Sequence, residues 1–351
     1  MTKRLIVIGA ILLTASLHAQ DQHFSQFYAA PLTFNPALTG AFNGRYRLGI
    51  IYRDQWRRVL DYPNVSYAGS VDLRFGLSSR RKRVRDAVGG GVVFYSDKFS
   101  GLGFSTNQIA VSGAFHKSLS NRGDQFLSLG FQAGIAQRNI NYENISFEDQ
   151  FSGGGFDDPT AEVLPENNFS YGDFAVGLNY AVAPAGRTAL YAGVAIHHIL
   201  EPQVSFYFDP DEDDPDRNGD NRLLRKYTAH LTLQIPLSQG VQLLPRGLFY
   251  LQGPHMALTG GANFRFVLND INGIALHVGA AVRPVRDEVS NLQLESAIGM
   301  AGIEFKNFLF GFSYDANLDD VAVMGNRRNA FEISIAYLGD YDTETVLCPK
   351  F

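Results

Sequence analysis

The stretch NVSYAGSVDLRFG, residues 64–76, alternates between apolar and polar side chains over its whole length. Its apolar or glycine positions are Val65, Tyr67, Gly69, Val71, Leu73 and Phe75, and its polar or small positions are Ser66, Ala68, Ser70, Asp72 and Arg74. Successive side chains of a β-strand point to opposite faces. The stretch is therefore predicted to be a strand with one apolar and one polar face.

The same period of two recurs along the rest of the chain. Fourteen segments carry it, near 45–53, 64–76, 88–96, 105–117, 125–137, 170–181, 188–198, 225–235, 241–251, 256–268, 272–283, 291–304, 307–315 and 329–338. An even number of such segments is typical of single-chain bacterial outer-membrane barrels. The sequence therefore predicts an all-β fold, a transmembrane antiparallel β-barrel of about 14 strands with an N-terminal plug-like segment.

Connection lengths support the barrel independently. If the N-terminus lies in the periplasm, the even-numbered connections are periplasmic turns, and most of them are short. The two longest connections, 138–169 and 199–224, are odd-numbered and would face the outside. Short inner turns and long outer loops are typical of membrane barrels. Residues 77–87 are the exception, as a longer inner turn.

A soluble β-sandwich is the alternative fold, because its strands alternate too. Two features favour the membrane barrel. Aromatic residues recur at the ends of the apolar faces, as in the girdles of membrane barrels: Tyr46, Tyr52, Phe75, Phe94, Phe115, Tyr180, Tyr227, Phe266, Tyr314 and Tyr337. The opposite faces carry Arg, Asn, Gln and small residues, which suit a wet lumen better than a sandwich core.

Composition and charge exclude several other classes. The 351 residues contain one cysteine, Cys348, so the chain has no internal disulfide scaffold. The formal net charge of −5 argues against nucleic-acid binding, which needs a basic face. Beyond the N-terminal region, no run approaches the roughly 20 apolar residues that a membrane-spanning helix needs.

The N-terminus predicts export. Thr2-Lys3-Arg4 is a short basic region, and residues 5–17 are an apolar run. Leu17-His18-Ala19, before Gln20, are compatible with a signal-peptide cleavage site. This order is typical of a secretory signal peptide. We therefore expect a signal peptide at 1–20, an N-terminal plug or periplasmic segment at 21–44, the barrel at 45–338 and a periplasmic C-terminal tail at 339–351, with the barrel in the outer membrane.

Residues 21–44 contain several bulky aromatics, Pro31 and Pro36, but little alternation. Such a segment is not expected to form a barrel strand. It could be a disordered periplasmic tail, but its aromatic side chains would be poorly placed in water. The segment is therefore predicted to fold into the lumen, with a turn at Asn35-Pro36.

Several short motifs resemble the PorP/SprF family, outer-membrane components of the type IX secretion system of Bacteroidota. The resemblance starts at residues 22–28, QHFSQFY, and at Asn35-Pro36, and it continues with Tyr52-Arg53-Asp54-Gln55-Trp56 and Ser313-Tyr314-Asp315. It runs from about residue 21 to the last residue. Two departures stand out: Phe331 replaces a frequent His before Glu332, and residues 209–220 are unusually acidic.

The resemblance implies a function. A member of this family would help secreted proteins or adhesins across or onto the cell surface, and in some cases would support gliding motility. It also implies partners: periplasmic ring or linker proteins of the machinery, and cargo with a C-terminal signal domain. Outer-membrane lipid would surround the barrel.

The acidic insert is a candidate calcium site. Residues 209–220 hold seven acids and one Arg, and Asp214, Asp216, Asn218 and Asp220 follow the first half of a calcium-loop pattern. The twelfth position is Arg225, so the bidentate Glu of that pattern is missing. A solvated surface loop would explain the same acids. Weak calcium binding is the only cofactor expectation for this chain.

The one dense basic cluster is a candidate partner contact. It comprises Arg80, Arg81, Lys82, Arg83 and Arg85, and it falls in the predicted inner turn 77–87. Such a cluster could bind an acidic periplasmic partner. A charged turn beside a barrel would also need no partner at all.

No catalytic constellation is apparent. The sequence has no His-x-x-x-His motif, nucleophile elbow or phosphate loop, and His197-His198 would point to opposite faces of a strand. We therefore predict that the chain is not an enzyme. The alternative function is a channel for hydrophobic small molecules, since fourteen strands with an N-terminal plug also describe fatty-acid channels. The inward faces suit lipid poorly, however, because they carry Arg45, Arg47, Asp72, Arg74, His230 and Arg265.

Overall fold

The computed structural model describes residues 24–57, 63–77, 86–99, 101, 103–142, 145–151, 159–206, 221–269, 272–286, 292–318 and 329–339. The predicted signal peptide at 1–20 and all of the predicted tail except Gly339 lie outside these ranges. Among the described residues, no helix has the length and apolarity needed to cross a membrane.

The described residues form fourteen strands in one closed antiparallel barrel. The strands are β1 (Tyr46–Gln55), β2 (Asn64–Gly76), β3 (Ala87–Phe99), β4 (Phe104–Ser118), β5 (Gln125–Ile140), β6 (Asn168–Val182), β7 (Ala189–His197), β8 (Lys226–Pro236), β9 (Val241–Gln252), β10 (His255–Asn269), β11 (Ile274–Arg286), β12 (Leu292–Phe305), β13 (Phe308–Asn317) and β14 (Ala330–Gly339). Each pairs with its sequence neighbours, and β1 closes the barrel by pairing with β14, from Tyr46 opposite Gly339 to Gln55 opposite Ala330. The fourteen-stranded barrel predicted from the alternation is confirmed.

The two faces of each strand differ in the way the alternation predicts. In β2, Asp72 is completely buried, whereas its neighbours Val71 and Leu73 are exposed on the outer face. Most exposed side chains on the outer face of the described strands are apolar, such as Ile50 and Val111. A closed barrel pairs its backbone groups between strands and has no free edge, which is why it can sit in lipid.

The two ends of the barrel differ in the lengths of their connections. The long connections 141–167 and 198–225 lie together at one end, which we call the loop end. The opposite end, the turn end, has short connections such as 237–240 and 306–307. The predicted asymmetry is therefore present, and connection 77–86 is the longest at the turn end, as expected.

Residues 24–44, which we call the inner segment, lie inside the barrel. The segment contains three short 3-10 helices, Phe27–Ala29, Pro31–Thr33 and Pro36–Leu38. Gln26, Leu32 and Thr39 are completely buried. The segment starts in the half of the lumen nearer the loop end and descends to the turn end, where β1 begins. Pro31 and Pro36 are the first residues of two of these helices. Proline has no backbone N–H to donate to a neighbouring strand, so this segment is not suited to join the sheet.

Candidate functional site

Four charged side chains from four strands meet inside the barrel. We call Arg53 of β1, Arg283 of β11, Asp315 of β13 and Glu332 of β14 the ion cluster. Arg53 Nη1 lies 2.5 Å from Glu332 Oε1 and 3.0 Å from Asp315 Oδ2. Arg283 Nη1 lies 3.2 Å from the same Asp315 oxygen. All four side chains are at most 5% exposed.

The inner segment binds to this cluster through its backbone. The Glu332 carboxylate accepts the amide N–H of Ser25 at 2.7 Å and that of Gln26 at 2.8 Å, one on each oxygen. Ser25 Oγ donates to Asp315 Oδ2 at 2.6 Å and accepts from the guanidinium groups of Arg53 and Arg283. The ion cluster therefore fixes the start of the inner segment against β1, β11, β13 and β14.

The Gln26 side chain extends the same attachment. Its Nε2 donates to Ser313 Oγ and to the Glu332 backbone carbonyl, both at 3.3 Å, and its Oε1 accepts from Ser334 Oγ at 2.9 Å. A Cβ placed on Gly311 would overlap the Gln26 amide, so a glycine is needed at that point of β13. Every polar atom of this buried glutamine side chain is thus hydrogen-bonded.

The ion cluster contains two guanidinium groups and two carboxylates, and Arg283 Nη1 also lies 3.6 Å from Oε2 of the half-buried Glu295 in β12. Burying charged groups costs several kcal/mol per ion, and only close pairing offsets that cost. A buried polar network of this kind adds little net stability, but it favours a single arrangement of its side chains. Any other arrangement would leave a buried charge without its partner, which is strongly unfavourable. We infer that the cluster sets the position of the inner segment.

A second attachment holds the middle of the inner segment. Asn35 Nδ2 donates to the backbone carbonyls of Leu178 in β6, at 3.0 Å, and Val194 in β7, at 3.4 Å. Its Oδ1 accepts from Ala37 N at 2.9 Å and caps the helix that Pro36 begins. A Cβ on Gly177 would overlap the Asn35 side chain. Asn35 therefore ties the segment to two strands far from it in sequence.

Replacing Asn35 with Asp tests this attachment. The change keeps the shape but turns a donor facing two carbonyls into an acceptor. We expect the free energy of unfolding to fall by at least about 2 kcal/mol, the scale of a buried polar group left without a partner. Urea unfolding in detergent micelles measures it, and Asn35→Asp stability equal to that of the unaltered protein would contradict the role assigned to Asn35.

A third attachment, which we call the turn-end anchor, holds the end of the inner segment. Asp72 accepts the Gly40 amide at 2.7 Å and two bonds from the Arg47 guanidinium, at 2.8 and 2.9 Å. Arg47 Nη2 also donates to the Leu38 carbonyl at 3.0 Å. His116 Nε2 lies 2.8 Å from the Thr39 carbonyl. The inner segment is thus fixed along its whole length.

Aromatic packing fills the space between these attachments. The Arg246 guanidinium lies over the Tyr28 ring, 4.0 Å from its centroid, and Phe27 meets Phe34 edge to face, with centroids 5.7 Å apart. Burial raises the pKa of the Tyr28 phenol, and the nearby positive charge of Arg246 opposes that shift only in part. The phenol therefore stays neutral over the physiological pH range.

Two cavities lie on either side of the inner segment. The outer cavity, of about 130 Å³, lies toward the loop end. The smaller one, of about 70 Å³, lies toward the turn end and includes Phe42, Tyr191 and Leu338 in its lining. The outer cavity is lined by Phe24, Phe27, Thr33, Val93, Tyr95, Asp97, Phe104, Thr106, Gln108, Gln132, Arg138, Tyr171, Asp173, His197, His198, Lys226 and Tyr250.

The two adjacent histidines have separate partners. His197 Nε2 lies 3.0 Å from the Phe34 carbonyl of the inner segment, and His198 Nδ1 lies 2.9 Å from Asp173 Oδ1. Within the described ranges, no group of three or more His, Cys, Asp or Glu side chains is placed to hold a metal ion.

The motif residues singled out in the sequence divide between the two faces. Arg53, Ser313 and Asp315 point inward and bind the inner segment, whereas Asn35 belongs to that segment and binds β6 and β7. Tyr314 is on the outer face. Near the loop-end rim, Tyr52 donates to Asp54 at 3.1 Å, Arg53 Nε donates to Gln55 Oε1 at 3.4 Å, and the Trp56 ring meets Phe99. Pro36 opens the third short helix.

Sequence reasoning missed three residues of the ion cluster and its attachment: Ser25, Arg283 and Glu332. Glu332 alternates with apolar neighbours in the last strand, so its inward direction was predictable. Its partners Ser25, Gln26 and Arg53 were not, because they lie more than 250 positions away in the chain.

Two predicted sites fall outside the described residues. The calcium candidates Asp214, Asp216, Asn218 and Asp220 are one. The basic cluster of Arg80, Arg81, Lys82, Arg83 and Arg85 is the other.

Comparison with known proteins gives a family match. A family model described as type IX secretion system membrane protein PorP/SprF matches residues 16–337. No curated protein sequence matches the chain.

The chain also has low-identity likenesses to solved structures, among them the following three. The TodX monoaromatic hydrocarbon channel (deltaS2 mutant) is 10% identical, with TM-score 0.47, over 90% of this chain and 94% of that one. The toluene transporter TbuX of Ralstonia pickettii is 9% identical, with TM-score 0.46 and the same two coverages. A FadL homologue of Pseudomonas aeruginosa is 10% identical, with TM-score 0.47, over 86% and 92% of the chains.

Proposed function

The chain belongs to the PorP/SprF family of type IX secretion system membrane proteins, and we propose that it works there as a docking platform whose lumen does not conduct cargo. Its barrel, with an apolar outer face, lies in the outer membrane. Family and fold together indicate a secretion or transport component.

The observation that carries the proposal is the filled lumen. The inner segment is bound to β1, β2, β4, β6, β7, β11, β13 and β14 by hydrogen bonds of its own backbone and side chains. The cavities described beside it have volumes of about 130 and 70 Å³, so the bound segment itself occupies the path that a polypeptide would take. A barrel filled in this way offers its two ends as binding surfaces.

Each end has a proposed partner. At the loop end, the connections 141–167 and 198–225 would hold secreted cargo carrying a C-terminal signal domain, such as an adhesin, and in some cells this would serve gliding. At the turn end, the basic connection with Arg80–Arg85 and the end of the inner segment would contact periplasmic ring or linker proteins. Calcium would bind weakly to Asp214, Asp216, Asn218 and Asp220 of the second connection.

Charge removal at the turn end tests the periplasmic contact. We propose replacing Arg80, Arg81, Lys82, Arg83 and Arg85 together with Gln. Surface-displayed cargo should fall roughly tenfold, the change that ~1.4 kcal/mol of lost affinity produces. Capture of type IX components on the tagged barrel from solubilised outer membranes should fall with it.

The matched control replaces Arg122 and Arg187, which lie in other connections at the same end, with Gln. It should leave display unchanged. Normal display in the five-residue variant, with the barrel present at normal level, would show that this connection does not bind the machinery.

A channel for hydrophobic small molecules is the competing function. It would require a continuous apolar path, whereas this lumen holds the ion cluster and the Gln26 network in its half nearer the loop end. Bound lipid or fatty acid recovered with the purified barrel, without type IX components, would favour the channel over the platform.

A further inference from the structure

The outer cavity combines an aromatic surface with a few fixed polar groups. Its floor is made by Phe24, Phe27 and Thr33 of the inner segment. Tyr95 of β3 meets Phe24 edge to face, with centroids 6.2 Å apart, so wall and floor form one aromatic surface. Cavities of this composition bind small molecules whose apolar body is buried and whose polar group is oriented by a few side chains.

Arg138 is the cation in this cavity that is available to a ligand. Its guanidinium carbon lies 6.0 Å from the centroid of the Phe104 ring and 5.8 Å from that of Tyr171. Its Nε is buried and has no hydrogen-bond partner, and Arg138 forms no ion pair with any residue in the described ranges. A guanidinium stacked on aromatic rings presents its remaining N–H groups as a fork that matches a carboxylate.

The acids of the cavity, by contrast, are engaged. Asp173 Oδ1 lies 2.9 Å from His198 Nδ1, and Asp173 Oδ2 accepts a hydrogen bond from Gln108 Nε2 at 2.8 Å. Asp97 Oδ1 accepts from Ser66 Oγ at 2.6 Å. Lys226, the other cation of the lining, is only 9% exposed. The charge left for a ligand at the Arg138 side of the cavity is therefore positive.

Gln132 adds a hydrogen-bonding group. It is 7% exposed and lines the cavity, and its Oε1 has no partner among the residues described. A buried carbonyl oxygen without a hydrogen-bond donor is unfavourable, because it has lost its bonds to water. Since the two ends of a glutamine amide can exchange by rotation, Gln132 can offer either a donor or an acceptor to a bound molecule.

We propose that the outer cavity binds a small organic carboxylate with an aromatic or apolar body. The carboxylate pairs with Arg138, and the body packs on Tyr95, Tyr171 and Phe24. This chemistry has two sources, the C-terminal residue of a peptide and a free organic acid. The inference goes beyond the docking function and is tested on the purified protein alone, so the two can fail separately.

Calorimetric titration of the full chain in a neutral detergent provides the test. The probes are N-acetyl-phenylalanine and N-acetyl-phenylalanine amide, which differ in the negative charge. We expect the acid to bind at least roughly tenfold more tightly than the amide. Arg138→Gln should abolish this difference, and Arg138→Lys, which keeps the charge but not the fork, should reduce it. Equal affinity of acid and amide for the unaltered protein would overturn the proposal.

Two further arms complete the experiment. The matched control is Arg187→Gln, which replaces an exposed arginine at the turn end and should bind the probes like the unaltered protein.

If Arg138→Gln does not fold, the titration of Arg138→Lys decides. Affinity of this variant for the acid equal to that of the unaltered protein would overturn the proposal. 3-Phenylpropionate lacks the acetamido group, so weaker binding of it identifies a peptide terminus as the ligand, and equal or tighter binding identifies a free acid.

Discussion

Replacing Glu332 with Ala is expected to release the start of the inner segment from the barrel wall. The change removes the acceptor for the Ser25 and Gln26 amides and one of the two carboxylates that bind Arg53. Breaking a buried pair on one side costs about 3–5 kcal/mol, because the remaining charge stays buried without its partner. The midpoint of urea unfolding in micelles should shift accordingly.

Hydrogen exchange distinguishes local release from general weakening. In Glu332→Ala, amides 25–30 should exchange faster than those of β5 and β6, which are distant from the cluster. Glu332→Gln keeps the volume and one acceptor oxygen, so its effect should be smaller. Protection of residues 25–30 that matched the unaltered protein would show that the ion cluster does not hold the segment.

Gly89 and Gly90 give the second large effect, and they are neighbours in β3. A Cβ on Gly89 would overlap the backbone of Thr39 and Gly40, whereas a Cβ on Gly90 meets nothing within 4 Å. Gly89→Val should therefore displace the end of the inner segment and break the bond from Gly40 to Asp72. We expect a loss of about 3 kcal/mol or more, in the upper range for overpacking.

Gly90→Val is the matched control. Its added side chain projects away from the inner segment, and a β-branched residue suits a strand. Its stability should equal or exceed that of the unaltered protein. Equal stability of the Gly89 and Gly90 variants would show that the inner segment does not pack on β3.

The barrel could be predicted from the sequence because a strand repeats its signal every two residues. Each of the fourteen segments carried that signal locally, and the long connections 141–167 and 198–225 marked one end. The triple glycine at 89–91 in β3 illustrates what the alternation does not show, because only Gly89 and Gly91 are in crowded positions. Both crowded positions are on the inward face of β3: Gly89 meets the inner segment, and Gly91 meets Asp72 of β2.

The candidate site could be predicted only in part. Asn35, Arg53, Ser313 and Asp315 were marked by family resemblance, but no local pattern says that Asp315 meets Arg53 or that Glu332 meets Ser25. Arg53 and Asp315 are separated by 262 positions in the chain, and Ser25 and Glu332 by 307. These contacts depend on closure of the barrel between β1 and β14, which brings the two ends of the chain together.

One measurement tests the central claim, that the inner segment stays in place while the protein works. Thr39 Oγ1 and Ser112 Oγ lie 2.5 Å apart, so Thr39→Cys and Ser112→Cys place two sulfurs close enough for a disulfide. Cys348→Ser removes the natural thiol. Cargo on the surface of living cells is then compared between the oxidised and the reduced variant. A platform predicts equal display in both states; display lost on oxidation and restored by a reductant would show that the segment must move.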